Sequence, residues 1–317
     1  TQVIPCKVCK PLITCSSGWL RKVTARIIDG KAVAARVHDE VAGGIDEFQK
    51  INGYAPRLTV ILVGDDPASH SYVKGKERAC EKVGISSETI LKDASISQAE
   101  LLEIIEGLNN DPKVHGILVQ LPLPKHIDED TVILSIDPMK DVDGLHPENA
   151  GLLVLGQTRF APATPLGVQR LLIEEGVDTN GAKVVIVGRS KLVGMPLTAL
   201  LLQKGIGANA TVTVCHTGTK DISIETRQAD VLIAAAGYPG AIGADMVKPG
   251  AVVVDVGVSR VEDSTRNRGY RLTGDVQFAE VVDVASAITP VPGGVGPMTI
   301  SMLLVNVLRA AKFSIQD

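Results

Sequence analysis

Tyr72 and Lys76 stand four residues apart in Ser71-Tyr72-Val73-Lys74-Gly75-Lys76-Glu77. On a helix that spacing sets both side chains on one face. The pair offers a ring that can stack on a flat substrate and an amine that can move a proton. A lysine drawn out of water has its pKa lowered towards neutrality and can then act as a general acid and base. Gln120 closes the apolar run Gly116–Leu121 and stands before Leu121-Pro122-Leu123-Pro124. A polar amide at the end of a buried strand needs a partner; it can bind substrate, orient a lysine or cap the strand. Asp141 and Asp143 lie in Lys140-Asp141-Val142-Asp143-Gly144. That pair suits a turn or a cation site, and Asp143 suits a carboxylate that accepts the amino and ring N–H groups of a pterin. Each spacing taken alone also fits an ordinary amphipathic helix, strand end or turn.

A second set of residues suits a dinucleotide. The apolar run Lys183–Val187 leads into Gly188-Arg189-Ser190-Lys191-Leu192-Val193-Gly194 and then a helical pattern. A strand, a glycine turn and a helix N-terminus present backbone N–H groups to a pyrophosphate. The string is G-x-S-x-x-x-G in place of G-x-G-x-x-G, and any α/β turn bounded by glycines could read so. The next strand ends Val214-Cys215-His216-Thr217-Gly218-Thr219, with the nearest acid at Asp221. An acid at that strand end would bind both free ribose hydroxyls of NAD. Arg189, Ser190 and Thr217 instead suit a 2′-phosphate, so NADP is the expected cofactor and NAD the alternative. His216 falls beside this subsite, with no catalytic role. Gly237 and Gly257 close later strands, where bare backbone admits a cofactor.

The elements that must position these residues alternate. Short aliphatic runs at Leu58–Gly64, Gly116–Leu121, Lys183–Gly188, Thr211–Cys215, Asp230–Gly237 and Val252–Gly257 suit strands covered on both faces. Helical patterns fall between them, at Lys31–Lys50 and after the capping box that starts at Ser97. The expected fold is α/β with two domains. Ala161-Pro162-Ala163-Thr164-Pro165 and Thr289–Pro297 are stiff crossings. They divide the chain into a tail (1–24), a catalytic unit (25–165 plus 296–317) and an inserted Rossmann-like dinucleotide unit with a parallel sheet (166–295), with the ligand cleft between the units.

Of the 317 residues, 45% are hydrophobic and only 3% aromatic, so the core must be aliphatic. The net charge of −4 argues against a nucleic-acid footprint, and no apolar run approaches the roughly 20 residues that span a bilayer. Cys6, Cys9, Cys15, Cys80 and Cys215 form no disulfide framework, which fits a reducing compartment, and a lone C-x-x-C pair does not make a metal site. Residues 1–28 lack Asp and Glu and carry Lys7, Lys10, Arg21, Lys22 and Arg26. That composition fits an organelle transit segment or a tail, so the compartment, mitochondrial or cytoplasmic, stays open.

Taken together and in order, these stretches resemble the methylenetetrahydrofolate dehydrogenase/cyclohydrolase family over about residues 25–313. The resemblance rests on Tyr-Val-x-x-Lys at Tyr72–Lys76, Val-Gln-Leu-Pro-Leu-Pro at Val119–Pro124, Lys-Asp-Val-Asp-Gly at Lys140–Gly144, Thr-Pro-x-Gly at Thr164–Gly167, Val-Gly-Arg-Ser at Val187–Ser190, and Pro290–Thr299. Asp66–Tyr72 looks most like the mitochondrial bifunctional branch. The resemblance implies a tetrahydrofolate substrate, Tyr72 stacked on its aminobenzoyl ring, Lys76 as acid/base of the cyclohydrolase step, Gln120 tuning that lysine, and Asp143 anchoring the pterin. It implies that the glycine-rich segment with Pro292, Gly293 and Gly294 lines the cleft, that Thr299 lies on the cofactor side, and that two copies form a homodimer through the second unit. The family's NAD-plus-phosphate mode uses an arginine directly after the histidine matching His216; Thr217 stands there, which favours NADP. The competing readings are a dehydrogenase of another small substrate, a family member with dehydrogenase activity alone, and a nucleotide-binding protein without turnover.

Overall fold

The computed structural model describes residues 24–266 and 269–315; Cys6, Cys9, Cys15 and nearly all of the expected tail lie outside them. Strand β1 (Arg26–Ile27) leads to helix α1 (Gly30–Asn52), which starts at Asp29 because the Asp29 carboxylate accepts from the Lys31 and Ala32 amides. It ends at Gly53, whose positive φ closes the last turn. Strand β2 (Arg57–Val63) buries six of its seven residues, as a strand covered on both faces must. Helix α2 (Pro67–Val83) is capped by Asp66 and has proline in its first turn. Strand β3 (Ser86–Lys92), helix α3 (Gln98–Asn110) and strand β4 (Gly116–Val119) complete a parallel sheet in the order β3-β2-β4. The capping box forms: Ser97 Oγ accepts from the Glu100 amide while Glu100 accepts from the Ser97 amide. Helices α4 (Glu129–Ser135), α5 (Pro147–Val154) and α6 (Ala163–Glu174) follow. The last begins at Ala163, and its Pro165 is tolerated because it falls in the first helical turn.

The second sheet contains β5 (Lys183–Val187), β6 (Thr211–Cys215), β7 (Val231–Ala234), β8 (Val252–Asp255) and β11 (Ala287–Ile288) in the order β6-β5-β7-β8-β11, all parallel. Helices α7 (Gly194–Leu202) and α8 (Ile222–Thr226) connect its first strands. Because β6 and β7 lie on opposite sides of β5, the winding reverses there and leaves a crevice at the strand ends. Strands β9 (Ser259–Glu262) and β10 (Tyr270–Thr273) form a separate antiparallel hairpin before helix α9 (Phe278–Val281). The short β1 pairs with β11 and so edges the second sheet, whereas the expected division starts the catalytic unit at residue 25. The expected runs missed β3, which is half-exposed and polar along most of its length.

The final helix α10 (Val295–Phe313) packs on α1, α2 and α6. One continuous aliphatic cluster runs from Val37, Val41 and Ile45 through Leu58, Val168 and Leu171 to Val184, Met302 and Val307. The two sheets therefore share buried apolar surface. A large apolar interface of this kind restrains relative motion, so the cleft between the sheets is a built feature of the fold. Among the described residues, no helix is long and apolar enough to cross a membrane.

Candidate active site

Helix α2 buries Val73, Ala79, Cys80 and Val83, and Lys76 lies on that same face. Only 5% of Lys76 is exposed. Its ammonium needs partners at that depth. Lys76 Nζ donates to Gln120 Oε1 at 3.1 Å and lies 4.8 Å from the centre of the Tyr72 ring. Gln120 Nε2 donates to the Leu121 carbonyl at 2.7 Å, which fixes the amide with its oxygen towards the lysine. The residues expected to act together therefore meet at the carboxyl end of β4. Burial lowers the Lys76 pKa, while Asp143 and Cys80 act in the other direction. Burial and then Asp143 push the Tyr72 phenol up to about 12, against a hydrogen bond with Thr299, although 38% of the residue stays open to solvent. Asp143 is pushed above the usual carboxylate range by desolvation, with Lys76 opposing.

The two aspartates of the Lys140–Gly144 turn separate in function. Asp141 is buried and accepts from the Leu145 and His146 amides and from Asn149 Nδ2, at 3.2, 2.8 and 2.8 Å. Lys140 Nζ donates to the carbonyls of Leu108, Asn109 and Asp111 at the end of α3. Both are consumed in building the turn. Asp143 faces a cavity of about 190 Å³ with Tyr72, Lys76, Gln120, Thr164 and Thr299. Gly144 has φ 68°, and a Cβ there would sit 2.6 Å from the Ala161 carbonyl carbon, so only glycine permits the turn to pack. Leu192, from the loop after β5, completes the cavity wall. Among the described residues no acid, His or Cys group could hold a metal ion.

On the nucleotide side, Gly188 has φ 133°, and a side chain there would overlap the Ala235 carbonyl. Gly194 opens α7 directly over the Gly188 carbonyl with no room for a Cβ. Ser190 Oγ accepts from the Val193 amide at 3.1 Å, leaving Arg189 and Ser190 exposed at the crevice. Lys191 forms an ion pair with Asp130 on α4 at 3.0 Å across the cleft mouth. His216 Nδ1 accepts from the Gly218 amide, and Thr217 is exposed at the tip of that turn. A Cβ at Gly237, φ 68°, would meet open space. The bare loop, the α7 N-terminus and an acid-free second strand end fit a dinucleotide with a 2′-phosphate.

Gly257 has a different reason from the expected one. It is buried against the Asp275 carboxyl, which takes the space a side chain would fill. Asp255 accepts from the amides of Gly257, Asp275 and Val276, and Asp275 accepts from Gly237 at 2.8 Å. Burial, with Asp275 adding to it, pushes Asp255 up to about 6. The Asp255 amide donates to Thr289 Oγ1 at 2.7 Å, which ties in the segment that continues to Pro292, Gly293 and Gly294. Sequence reading missed this pair, although Asp255 is the one acid in the run Val252–Gly257. Gly294 packs against Gly30 at the start of α1, and Pro292 is exposed. Thr299, expected on the cofactor side, lines the cavity with Tyr72 and hydrogen-bonds Thr164 at 2.9 Å.

Family models match most of the chain: the catalytic domain of tetrahydrofolate dehydrogenase/cyclohydrolase at residues 28–143 and its NAD(P)-binding domain at residues 162–315. The chain is 54% identical over 286 residues to the bifunctional protein FolD of Pelodictyon phaeoclathratiforme, covering 90% of this chain and 97% of that protein. The FolD methylenetetrahydrofolate dehydrogenase/cyclohydrolase of Campylobacter jejuni superposes with a TM-score of 0.85 at 49% identity, over 91% of this chain and 99% of that one. The Trypanosoma brucei enzyme, solved with NADP and an inhibitor, gives 0.87 at 38% identity, over 93% and 99%.

Proposed function

The chain belongs to the tetrahydrofolate dehydrogenase/cyclohydrolase family, and from that premise we propose that the cavity holding Lys76, Gln120, Tyr72 and Asp143 hosts both of its reactions. The enzyme oxidises 5,10-methylenetetrahydrofolate to the 5,10-methenyl form with NADP and hydrolyses that product to 10-formyltetrahydrofolate. The observation that carries the site is the Lys76 ammonium held by Gln120 at 3.1 Å, beside an aromatic ring and a carboxylate in one interdomain cavity.

Each residue then has a task. Asp143 accepts N–H groups of the pterin, and Tyr72 stacks on the aminobenzoyl ring. The one-carbon unit bridges two nitrogens whose lone pairs stabilise the cation formed on oxidation, so the protein supplies placement and no strong base. NADP, when bound, supplies the nicotinamide carbon that takes up the hydride. Gly188, Arg189, Ser190 and Gly194 would hold its phosphates, with His216 and Thr217 at the adenosine end and Gly237 and the Pro292–Gly294 segment towards the nicotinamide. In the hydrolysis, water bonds to the methenyl carbon as its proton passes to Lys76. The ammonium then returns that proton to the ring nitrogen whose bond to carbon breaks, while the new hydroxyl gives up its own proton to solvent as the formyl C=O forms, so that one proton is released overall. The step needs a neutral amine, which burial favours. Gln120 Oε1 holds the Lys76 nitrogen in the cavity wall through one Nζ–H.

Asp143→Ala removes the pterin acceptor. Its folate dissociation constant should rise at least tenfold, the cost of one charge-assisted hydrogen bond of about 1.5–3 kcal/mol; an unchanged constant rejects the anchor. Apart from β1, which edges the second sheet, the reading also divides the chain into the folate unit (25–165 plus 296–317) and the dinucleotide unit (166–295), and pairs two copies through the latter. Supporting the pairing, the β9–β10 hairpin stands off the parallel sheet, with Val258 at its base exposed. Light scattering at micromolar concentration should give twice the mass of the chain; a monomer overturns the pairing.

A further inference from the structure

Asn306 lies seven residues beyond Thr299 on α10, two turns along the same helical face. It is 1% exposed. Its single amide nitrogen donates to two carbonyls, Val142 at 2.8 Å and Ala161 at 3.0 Å. Val142 directly precedes Asp143. Ala161 is the residue against which Gly144 packs, and it leads to Thr164 on the cavity wall. One side chain thus joins two loops that are distant in sequence and both line the folate cavity. α10 also carries Thr299 in the same wall, so the helix sets the distance between Asp143, Thr164 and Thr299. An asparagine in the middle of a helix is unfavourable by propensity, and here its amide is spent wholly outside the helix.

We infer that Asn306 is a positioning residue for the pterin: it fixes the carboxylate of Asp143 at the depth where the one-carbon unit meets Lys76. This deepens the reading of Asp143 given above and rests on it. Without the amide, two buried carbonyls lose their donor, and the turn can relieve them only by moving towards water. Such a shift displaces Asp143 while leaving the nucleotide crevice, on the far side of the cleft, in place.

The test uses the full-length enzyme with Asn306→Leu, which keeps the branched shape, is somewhat larger and deletes both donations, and Asn306→Ser, a smaller side chain that serves if the leucine variant does not fold. The KM for methylenetetrahydrofolate should rise about tenfold with the KM for NADP within about twofold. A role confined to stability would lower the melting temperature and move neither constant. In an Asp143→Ala background the same substitution should add less than about twofold, because both changes act through one contact. An unchanged folate KM in a folded variant, equal rises in both KM values, or fully additive effects would overturn the inference. If Asp143→Ala alone leaves folate binding unchanged, the pterin anchor itself fails, a result distinct from failure of Asn306 alone.

Discussion

Lys76→Met lowers hydrolysis of added methenyltetrahydrofolate by about 10²–10⁴-fold, the range of a lost general acid/base, while NADP-dependent oxidation stays within about tenfold, as binding and placement survive. Methionine keeps an unbranched stem in the same buried slot and carries no proton. Oxidation needs none, because the flanking nitrogens stabilise the cation. The variant should therefore accumulate the methenyl intermediate in step with NADPH, read by absorbance. Equal loss of both activities would mean that Lys76 only shapes the cavity. The pH dependence follows from the same group. Its pKa is lowered by burial, so the amine stays neutral further into the acid range than an exposed lysine would. Hydrolysis is present above that pKa and is lost as pH falls through it. Asp143 favours the ammonium and works against burial. Asp143→Asn should therefore move the acid limb of kcat for hydrolysis to lower pH; a limb that does not move would assign it to another group.

Gly188→Ala produces the opposite split. At φ 133° an alanine is strained, and its Cβ would lie 2.7 Å from the Ala235 carbonyl carbon. The loop has to move, and displacement by about an ångström at a phosphate cradle costs on the order of 10²-fold in turnover. NADP-dependent oxidation falls by that factor or more, and hydrolysis of added methenyltetrahydrofolate is retained. Separate assays of the two reactions read the split, and a matching loss of hydrolysis would show that the loop shapes the folate side as well.

Much of this arrangement was legible because it is local. The continuous apolar runs of β2, β4, β5, β7 and β8 announce strands buried on both faces, and the four-residue spacing of Tyr72 and Lys76 puts them on one side of α2. The resemblance added what spacing could not, namely that Gln120 and Asp143 belong with that helix. What sequence left open depends on distant partners. Asp141 and Asp143 look equivalent until Asn149 and two backbone amides claim the first. Gly257 reads as a place for a ligand until Asp275 fills it. Thr299 follows the glycine-rich cofactor segment in sequence, yet the turn into α10 carries it across to Thr164. Asn306 sits in an apolar helix with nothing nearby in the chain to mark it, since its acceptors lie 164 and 145 residues away. The strands that escaped notice, β1, β3, β9, β10 and β11, are short or polar; pairing with a neighbour, not their own composition, holds them extended.

The most direct measurement is a crystal structure of the enzyme with NADP and a stable tetrahydrofolate analogue. The account predicts the pterin on Asp143, the aminobenzoyl ring over Tyr72, and the one-carbon position between Lys76 Nζ and the nicotinamide, within about 3–4 Å of each. A folate seated away from Asp143, or a one-carbon position that Lys76 cannot reach even through one water, would contradict it.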